Sequence, residues 1–143
     1  MITIKTFVKF HQTDAAGLIF FNNIFIIAHE AYEQMLISEG FGIGEILREK
    51  DYLLPLVHVE ADYKLPLFPG DEITVQALVS RLGETAYTLS YQILKDKAVA
   101  ALVKTVHVCM DKKTREKMPI PADLKSGLEN HFGAFEKSGN ETL

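Results

Sequence analysis

The sequence predicts an α+β domain in which a five-stranded antiparallel sheet wraps around one long helix. Strand-like alternation of apolar residues occurs at the start of the chain, over residues 2–10, and in four later segments. One long stretch, residues 24–40, instead repeats its apolar residues at the spacing of an amphipathic helix. The four later segments follow one another through short turns, which favours antiparallel hairpins over crossover connections.

The length and composition are those of a single domain with a substantial core. The chain has 143 residues, of which 48% are hydrophobic and 24% are charged. Its net charge is −4, so no overall basic field attracts nucleic acid as a partner. We predict one domain over residues 1–135 and a frayed polar tail over residues 136–143.

The first strand and the long helix are separated by a loop. Residues 2–10 place apolar side chains on one face and predict the strand. Residues 24–40 carry a broad apolar stripe, with Asn22 or Asn23 as the helix N-cap and Gly40 as its end. A helix this apolar needs to be covered, and the sheet is the element available to cover it.

The remaining elements complete the sheet and close the domain. A short helix is predicted over residues 43–50 and a last one over residues 121–132, with Leu124, Leu128 and Phe132 facing inward. The predicted strands cover residues 55–63, 72–81, 86–95 and 98–110. The last of these is apolar on both faces, as expected of a central strand. One sheet around one helix leaves edges and a face uncovered, so we expect a homodimer.

The candidate catalytic residue is Asp14, in the loop between the strand and the helix. An aspartate in a loop is most often a turn former or a helix cap. Here a largely apolar run follows Gly17, which predicts unusually dry surroundings for this carboxylate. A carboxylate beside a helix N-terminus can act as a nucleophile or a general base, while the helix N–H groups stabilise an oxyanion.

Other chemistries lack the residues that they need. Cys109 lies in an apolar run and is predicted to be a buried thiol. The segment from His29 to Glu33 lacks the second histidine of a zinc signature, so we predict no metal. The sequence contains no Gly-x-Ser-x-Gly elbow and no phosphate-binding Gly-rich loop. We also predict no secretion signal, no membrane span and a cytoplasmic location.

Several segments resemble a known family. They are Thr13-Asp14-Ala15-Ala16-Gly17, Phe21-Asn22, His29-Glu30-Ala31-Tyr32-Glu33, Leu54-Pro55-Leu56-Val57-His58, Gly70-Asp71 and His107-Val108-Cys109. From Val8 to about Leu128, the chain is similar to hot-dog acyl-CoA thioesterases of the 4-hydroxybenzoyl-CoA thioesterase type. The segments around His29 and His58 resemble the subgroup that hydrolyses 1,4-dihydroxy-2-naphthoyl-CoA in menaquinone and phylloquinone biosynthesis.

The resemblance implies roles for particular residues. Asp14 would attack the thioester, directly or through a water. The backbone N–H of Phe21 would polarise the thioester carbonyl, and Gly17 would let the chain approach closely. His29 would meet a substituent on the ring of the acyl group, and His58 would line the same pocket. No cofactor is implied beyond the CoA of the substrate, and a homodimer or homotetramer would build its sites between subunits.

The residues leave alternatives open. His29 is equally compatible with a polar position on the helix flank, and His58 with an exposed or interface position. A basic cluster, consisting of Lys112, Lys113, Arg115 and Lys117, is either a solvated hairpin or an attractor of CoA phosphates.

The function has alternatives too. The same aspartate loop would serve a thioesterase for other aromatic or short-chain acyl-CoAs. A function of another class is that of a non-catalytic module that binds acyl-CoA or an acyl carrier.

Overall fold

A computed structural model describes residues 1–19 and 21–136, so the predicted tail, apart from Glu136, lies outside the described residues. The helices are α1 (Asn23–Ser38), α2 (Ile43–Glu49) and α3 (Ala122–Glu129). The strands are β1 (Ile2–Phe7), β2 (Tyr52–Leu53), β3 (Leu56–Tyr63), β4 (Glu72–Leu82), β5 (Ala86–Lys95), β6 (Ala98–Val108) and β7 (Met110–Asp111).

Five strands form the main sheet, in the order β1-β4-β5-β6-β3, and every neighbouring pair is antiparallel. The predicted central strand is β6, which lies inside the sheet between β5 and β3. Strands β2 and β7 were not predicted; each is two residues long, and they pair with each other in a separate two-stranded sheet. The predicted five-stranded antiparallel sheet is confirmed.

The core lies between α1 and the inner face of the sheet. Ile24, Ala28 and Met35 on α1 are fully buried, as are Ala77 on β4 and Leu89 on β5. Burial of each large apolar side chain contributes roughly 1.5–3 kcal/mol, so this layer supplies most of the driving force for folding. The long helix wrapped by a sheet, predicted from the apolar stripe, is confirmed.

Strand β3 is the exception to this burial. Only Ala61 among its eight residues is half-buried, and the other seven are exposed. The register places Val59 opposite Thr105 and Ala61 opposite Val103, so these residues do lie on the inner face. Val59 is nevertheless 40% exposed, at this edge of the sheet.

The first strand and the last helix each end three residues earlier than predicted. β1 ends at Phe7, and residues Phe10–Gln12 form a 3-10 turn that starts the loop to α1. α3 ends at Glu129, so Phe132 leaves the helical face and is 60% exposed, whereas Leu124 and Leu128 are buried as predicted.

Candidate active site

Asp14 lies in a tight turn that closes on itself. Its backbone N–H donates to the carbonyl of Leu18 at 2.8 Å, and its carbonyl accepts from Gly17 at 3.0 Å. Gly17 has a φ of +79°, which residues with a Cβ rarely adopt. The carboxylate Oδ1 accepts the N–H of Ala16 at 2.8 Å and that of Leu18 at 3.3 Å. The turn therefore fixes the orientation of the carboxylate through backbone contacts alone.

The carboxylate is exposed to solvent in the single chain, which corrects the expectation of dry surroundings. Ala15 and Ala16 are exposed as well, whereas Leu18 and Ile19 are half-buried. Leu18 and Ile19 pack toward the body of the domain, where Ile19 donates its backbone N–H to the carbonyl of Leu67 at 2.8 Å. They do not cover Asp14.

Side chains attach this turn to the start of α1. Asn23 donates from Nδ2 to the carbonyl of Gln12 at 3.0 Å, and the Gln12 side chain accepts the N–H of Lys9 at 2.9 Å. Gln12 is only 3% exposed. Asn22 is the N-cap of α1, but its side chain makes no capping bond. Asn23, the alternative N-cap predicted from the sequence, instead ties the loop to the helix through its side chain.

Phe21 immediately precedes the N-cap of α1. Its ring is 63% exposed, and its carbonyl accepts a hydrogen bond from the hydroxyl of Tyr63 at the end of β3. Asp14, the first turn of α1 and the end of β3 therefore lie at one end of the domain. The partial positive charge of a helix N-terminus is located there as well.

His29 lies farther along the uncovered face of α1. Its Nδ1 is 3.5 Å from Oε1 of Glu33, one turn later, and about 40% of its side chain is exposed. The imidazole is backed by the buried ring of Tyr32, whose centroid is 5.3 Å away in an edge-on arrangement. His29 thus has a fixed inner side and an open outer side.

A buried polar cluster behind His29 was not predicted from the sequence. The ring of His107 stacks on Tyr32 at 4.3 Å and on Tyr87 at 5.1 Å, and the hydroxyls of the two tyrosines hydrogen bond to each other. His107 Nε2 and the Tyr91 hydroxyl both contact the Thr105 hydroxyl, at 3.0 and 2.9 Å. The alternation of Thr105 and His107 on one face of a mostly apolar strand was the available signal.

Burial controls protonation in this cluster. Desolvation raises the pKa of Tyr32, Tyr87 and Tyr91 above the ordinary value for tyrosine, so all three stay neutral. It lowers the pKa of His107 to about 3, and the nearby His29 adds to this shift. The layer beneath His29 is therefore uncharged at neutral pH.

His58 does not join this site within one chain. It pairs with Val106 on β6, whereas the neighbouring residues Thr105 and His107 face the core, so His58 lies on the opposite face of the sheet. Its Nε2 is 4.0 Å from Oε1 of Glu60, and both side chains are exposed. A role for His58 in the acyl pocket remains a prediction that requires a second subunit.

The basic cluster lies at the other end of the domain from Asp14. Lys112 donates its backbone N–H to Asp51 and its ammonium to the carbonyl of Leu47, next to β2. The cluster also follows the end of β6 that pairs with Leu56, and Leu56 and Tyr63 are the two ends of the eight-residue strand β3. The length of such a strand is about 26 Å. Within one chain, these cations do not surround the carboxylate.

Other residue types show no competing site in the described part of the chain. Cys109 is fully buried, as predicted, and burial raises the pKa of its thiol. Over residues 1–19 and 21–136, no three His, Cys, Asp or Glu side chains are arranged to hold a metal ion. Among the same residues, no helix has the length and apolar character required to span a membrane.

Comparison with known proteins identifies the class of protein. The thioesterase-like superfamily matches residues 8–128, which is most of the chain. The chain belongs to this superfamily, and its sheet and central helix form the hot-dog fold that the resemblance implied.

Particular relatives narrow the comparison. The chain is 35% identical to the 1,4-dihydroxy-2-naphthoyl-CoA hydrolase of Microcystis aeruginosa, over 90% of this chain and 92% of that protein. A 1,4-dihydroxy-2-naphthoyl-CoA thioesterase from Synechocystis has a TM-score of 0.85 and 30% identity, covering 90% of this chain and 95% of that one. A gentisyl-coenzyme A thioesterase has a TM-score of 0.80 and 25% identity, covering 89% of this chain and 99% of that one.

Proposed function

We propose that the protein is an acyl-CoA thioesterase that hydrolyses 1,4-dihydroxy-2-naphthoyl-CoA to the free acid and CoA in quinone biosynthesis. The observation that carries this proposal is the Asp14 turn, in which the backbone N–H groups of Ala16 and Leu18 fix the carboxylate in the loop before α1. The relatives named for this substrate cover nearly the whole chain, which supports the choice of acyl group.

Two mechanisms fit the fixed carboxylate. As a nucleophile, Asp14 bonds to the carbonyl carbon, the C–S bond breaks, CoA leaves as a thiolate that takes up a proton, and water then hydrolyses the mixed anhydride. As a general base, Asp14 takes a proton from the water that attacks the carbonyl. In both, the start of α1, with the Phe21 N–H, stabilises the negative charge on the carbonyl oxygen.

The site is completed by a second copy of the chain in this proposal. β3 is an edge strand with seven exposed residues, and pairing it antiparallel with β3 of a second copy would continue the sheet. A two-fold axis between these strands places the His58 end of one β3 beside the Tyr63 end of the other. His58 of the second copy would then approach Asp14, and further association of dimers would give the tetramer.

The proposed CoA site depends on the same pairing. In one chain, the cluster that includes Lys112 and Arg115 lies at the opposite end from Asp14, next to the start of β3. A second copy related by the two-fold axis would bring its own cluster toward the Asp14 end. The cations would then attract the CoA phosphates and locally offset the net charge of −4.

The reaction as proposed uses water and the substrate, with no metal or redox cofactor. A CoA thioester carries several negative charges and does not cross a membrane unaided. The enzyme would therefore act where the thioester is made, which we expect to be the cytoplasm.

A second candidate substrate class is supported by one comparison. The relationship to a gentisyl-coenzyme A thioesterase, at 25% identity, favours other hydroxylated aromatic acyl groups as the alternative. A non-catalytic binding module is the alternative of another class, and it predicts acyl-CoA binding without release of thiol.

The test is release of free thiol from 1,4-dihydroxy-2-naphthoyl-CoA, a hydroxybenzoyl-CoA and hexanoyl-CoA. We expect the naphthoyl thioester to have the highest kcat/KM, and Asp14→Asn to lower kcat by at least about a hundredfold. Asp96→Asn, which changes an exposed aspartate in the β5–β6 turn, is the matched control and should retain full activity. Preference for hexanoyl-CoA would contradict the substrate, and unchanged activity of Asp14→Asn would contradict the mechanism.

A further inference from the structure

The pair formed by His29 and Glu33 has a consequence for the kind of acyl group that the site accepts. The two residues are one turn apart on α1, and Nδ1 of the imidazole is 3.5 Å from Oε1 of the carboxylate. A carboxylate can only accept a hydrogen bond, so its charge favours the proton of the neutral imidazole on Nδ1. Nε2 then carries a lone pair and can only accept.

Rigid neighbours set the direction of the imidazole. The ring of Tyr32 meets it edge-on at 5.3 Å, and the ring of His107 lies 6.4 Å away. Both of these rings are buried, and Tyr32 is held from behind by its hydrogen bond to Tyr87 and its stacking on His107. The inner side of His29 is thus occupied by fixed rings, and its other side opens to a surface groove with Phe25 and Ile26.

We propose that Glu33 is a positioning residue that holds His29 as the Nδ1–H tautomer, so that Nε2 selects acyl groups whose ring carries a hydroxyl donor. This inference rests on the proposed function and names the chemical feature of the acyl group that the site recognises. A ring hydroxyl donates to Nε2, whereas a methyl ether or an unsubstituted ring that covers the imidazole leaves that acceptor without a partner. The cost of an unpaired acceptor discriminates against such rings.

The adjacent glutamate provides a matched control. Glu30 is exposed, lines the same groove as Glu33 and is of the same residue type, but it directly follows His29, and residues one apart on a helix do not face each other. Glu33→Gln and Glu30→Gln therefore remove the same charge from the same helix, and only the first removes it from His29.

The first experiment observes the tautomer directly, by ¹⁵N NMR of the histidine-labelled protein at a pH where His29 is neutral. We expect the His29 signals of the wild type and of Glu30→Gln to show a protonated Nδ1 and an unprotonated Nε2. Glu33→Gln should shift both signals toward a mixture of tautomers. A protonated Nε2 in the wild type, or unchanged signals in Glu33→Gln, would overturn the proposal.

The second experiment compares a ring-hydroxylated aromatic acyl-CoA with its O-methyl counterpart. We expect the wild type and Glu30→Gln to prefer the hydroxylated thioester by about tenfold in kcat/KM. Glu33→Gln should reduce this preference to below about threefold, chiefly by slowing the hydroxylated substrate. In a His29→Phe background, Glu33→Gln should change the preference no further.

The two proposals fail in different ways. If the wild type releases no thiol from any acyl-CoA, the proposed function fails. The role of Glu33 is then tested by binding of the free hydroxy acid, which is monitored through the ¹⁵N signals of His29. If thiol is released but Glu33→Gln and Glu30→Gln keep the same substrate preference, the thioesterase function stands and the role of Glu33 is refuted.

Discussion

Three polar side chains around the Asp14 turn bond to backbone groups rather than to one another. Asp14 accepts two N–H groups of its own turn, Gln12 accepts the N–H of Lys9, and Asn23 donates to the carbonyl of Gln12. Backbone partners leave few rotamers to such side chains, so the carboxylate is oriented before any substrate arrives. Preorganisation of this kind contributes to catalysis because no rearrangement is needed during the reaction.

Replacing Asn23 with Ala tests whether the position of the turn affects the reaction, because the variant leaves Asp14 itself unchanged. Loss of the bond to Gln12 is expected to lower the free energy of unfolding by about 1 kcal/mol. Because the turn then moves relative to α1, we expect kcat to fall by about tenfold with little change in KM. Urea unfolding and steady-state kinetics measure the two effects.

Asn22→Ala is the control for this variant. The Asn22 side chain makes no capping bond, so its removal should cost only a few tenths of a kcal/mol. Equal effects of the two alanine variants on kcat would contradict the positioning role of Asn23.

At the scale of the elements, α1 and β3 each leave a surface uncovered. α1 buries one face completely but exposes Ile26, which is 49% exposed, beside His29. β3 exposes Val57 and Val59 at 57% and 40%. Apolar residues on an unpaired edge strand are typical of an interface between subunits, and both elements adjoin the proposed site.

A charge placed on β3 should therefore dissociate the proposed assembly. We expect Val59→Lys to convert the dimer or tetramer into monomers, because the buried ammonium would lack a partner in the interface. Sedimentation velocity measures the oligomeric state, and activity should fall with it. Leu47→Lys changes an equally apolar residue that is 53% exposed on α2, and it should leave the assembly intact. Wild-type oligomers in Val59→Lys would exclude β3 from the interface.

At the scale of the whole molecule, the buried polar cluster links stability to pH. The folded protein keeps His107 neutral with a pKa of about 3, whereas the unfolded imidazole titrates at its ordinary value of 6.5. The unfolded state therefore binds more protons between these two pKa values, and stability falls as the pH decreases through that range. Lys95 lowers the pKa of Asp71, and backbone N–H groups lower the pKa of Asp111. Protonation of these two carboxylates at lower pH therefore decreases the free energy of unfolding further.

Replacing His107 with Gln should remove most of this dependence above pH 4.5. We expect the wild type to lose up to about 1.4 kcal/mol per pH unit below pH 6.5, one proton's contribution. The variant should be less stable at pH 7 but should lose stability less steeply. Urea unfolding at a series of pH values measures both slopes, with His11→Gln as the exposed-histidine control. Parallel curves for the wild type and His107→Gln would refute this assignment.

Local sequence patterns predicted the fold well because a half-buried strand alternates apolar and polar residues, whereas a half-buried helix repeats its apolar residues every three or four positions. The apolar stripe of α1 and the alternation of β4 and β5 made each element's inner face visible in the sequence. Phe132 was placed wrongly because the helix pattern continued past the end of α3. Asp14 was found from its loop, but its exposure depends on distant residues that fail to cover it.

The features of the candidate site that were not predicted depend on contacts between residues far apart in the sequence. His58 was assigned to a pocket from similarity, yet its face of the sheet follows from the register with β6. The contacts of His107 with Tyr32 and Tyr87 join three separate elements, and no local spacing reveals them.

The connections between the strands also indicate the sequence in which parts of the sheet fold. β4, β5 and β6 are consecutive hairpins, with Leu82 opposite Tyr87 and Lys95 opposite Ala98. β1 and β3 close far longer loops, since Ile2 pairs with Ala77 and Leu56 with His107. Closing a longer loop costs more chain entropy, so we expect the central meander to form first and both edge strands to join later. The Asp14 turn is attached to one of these late strands, so we expect the Asp14 carboxylate to reach its native position near the end of folding.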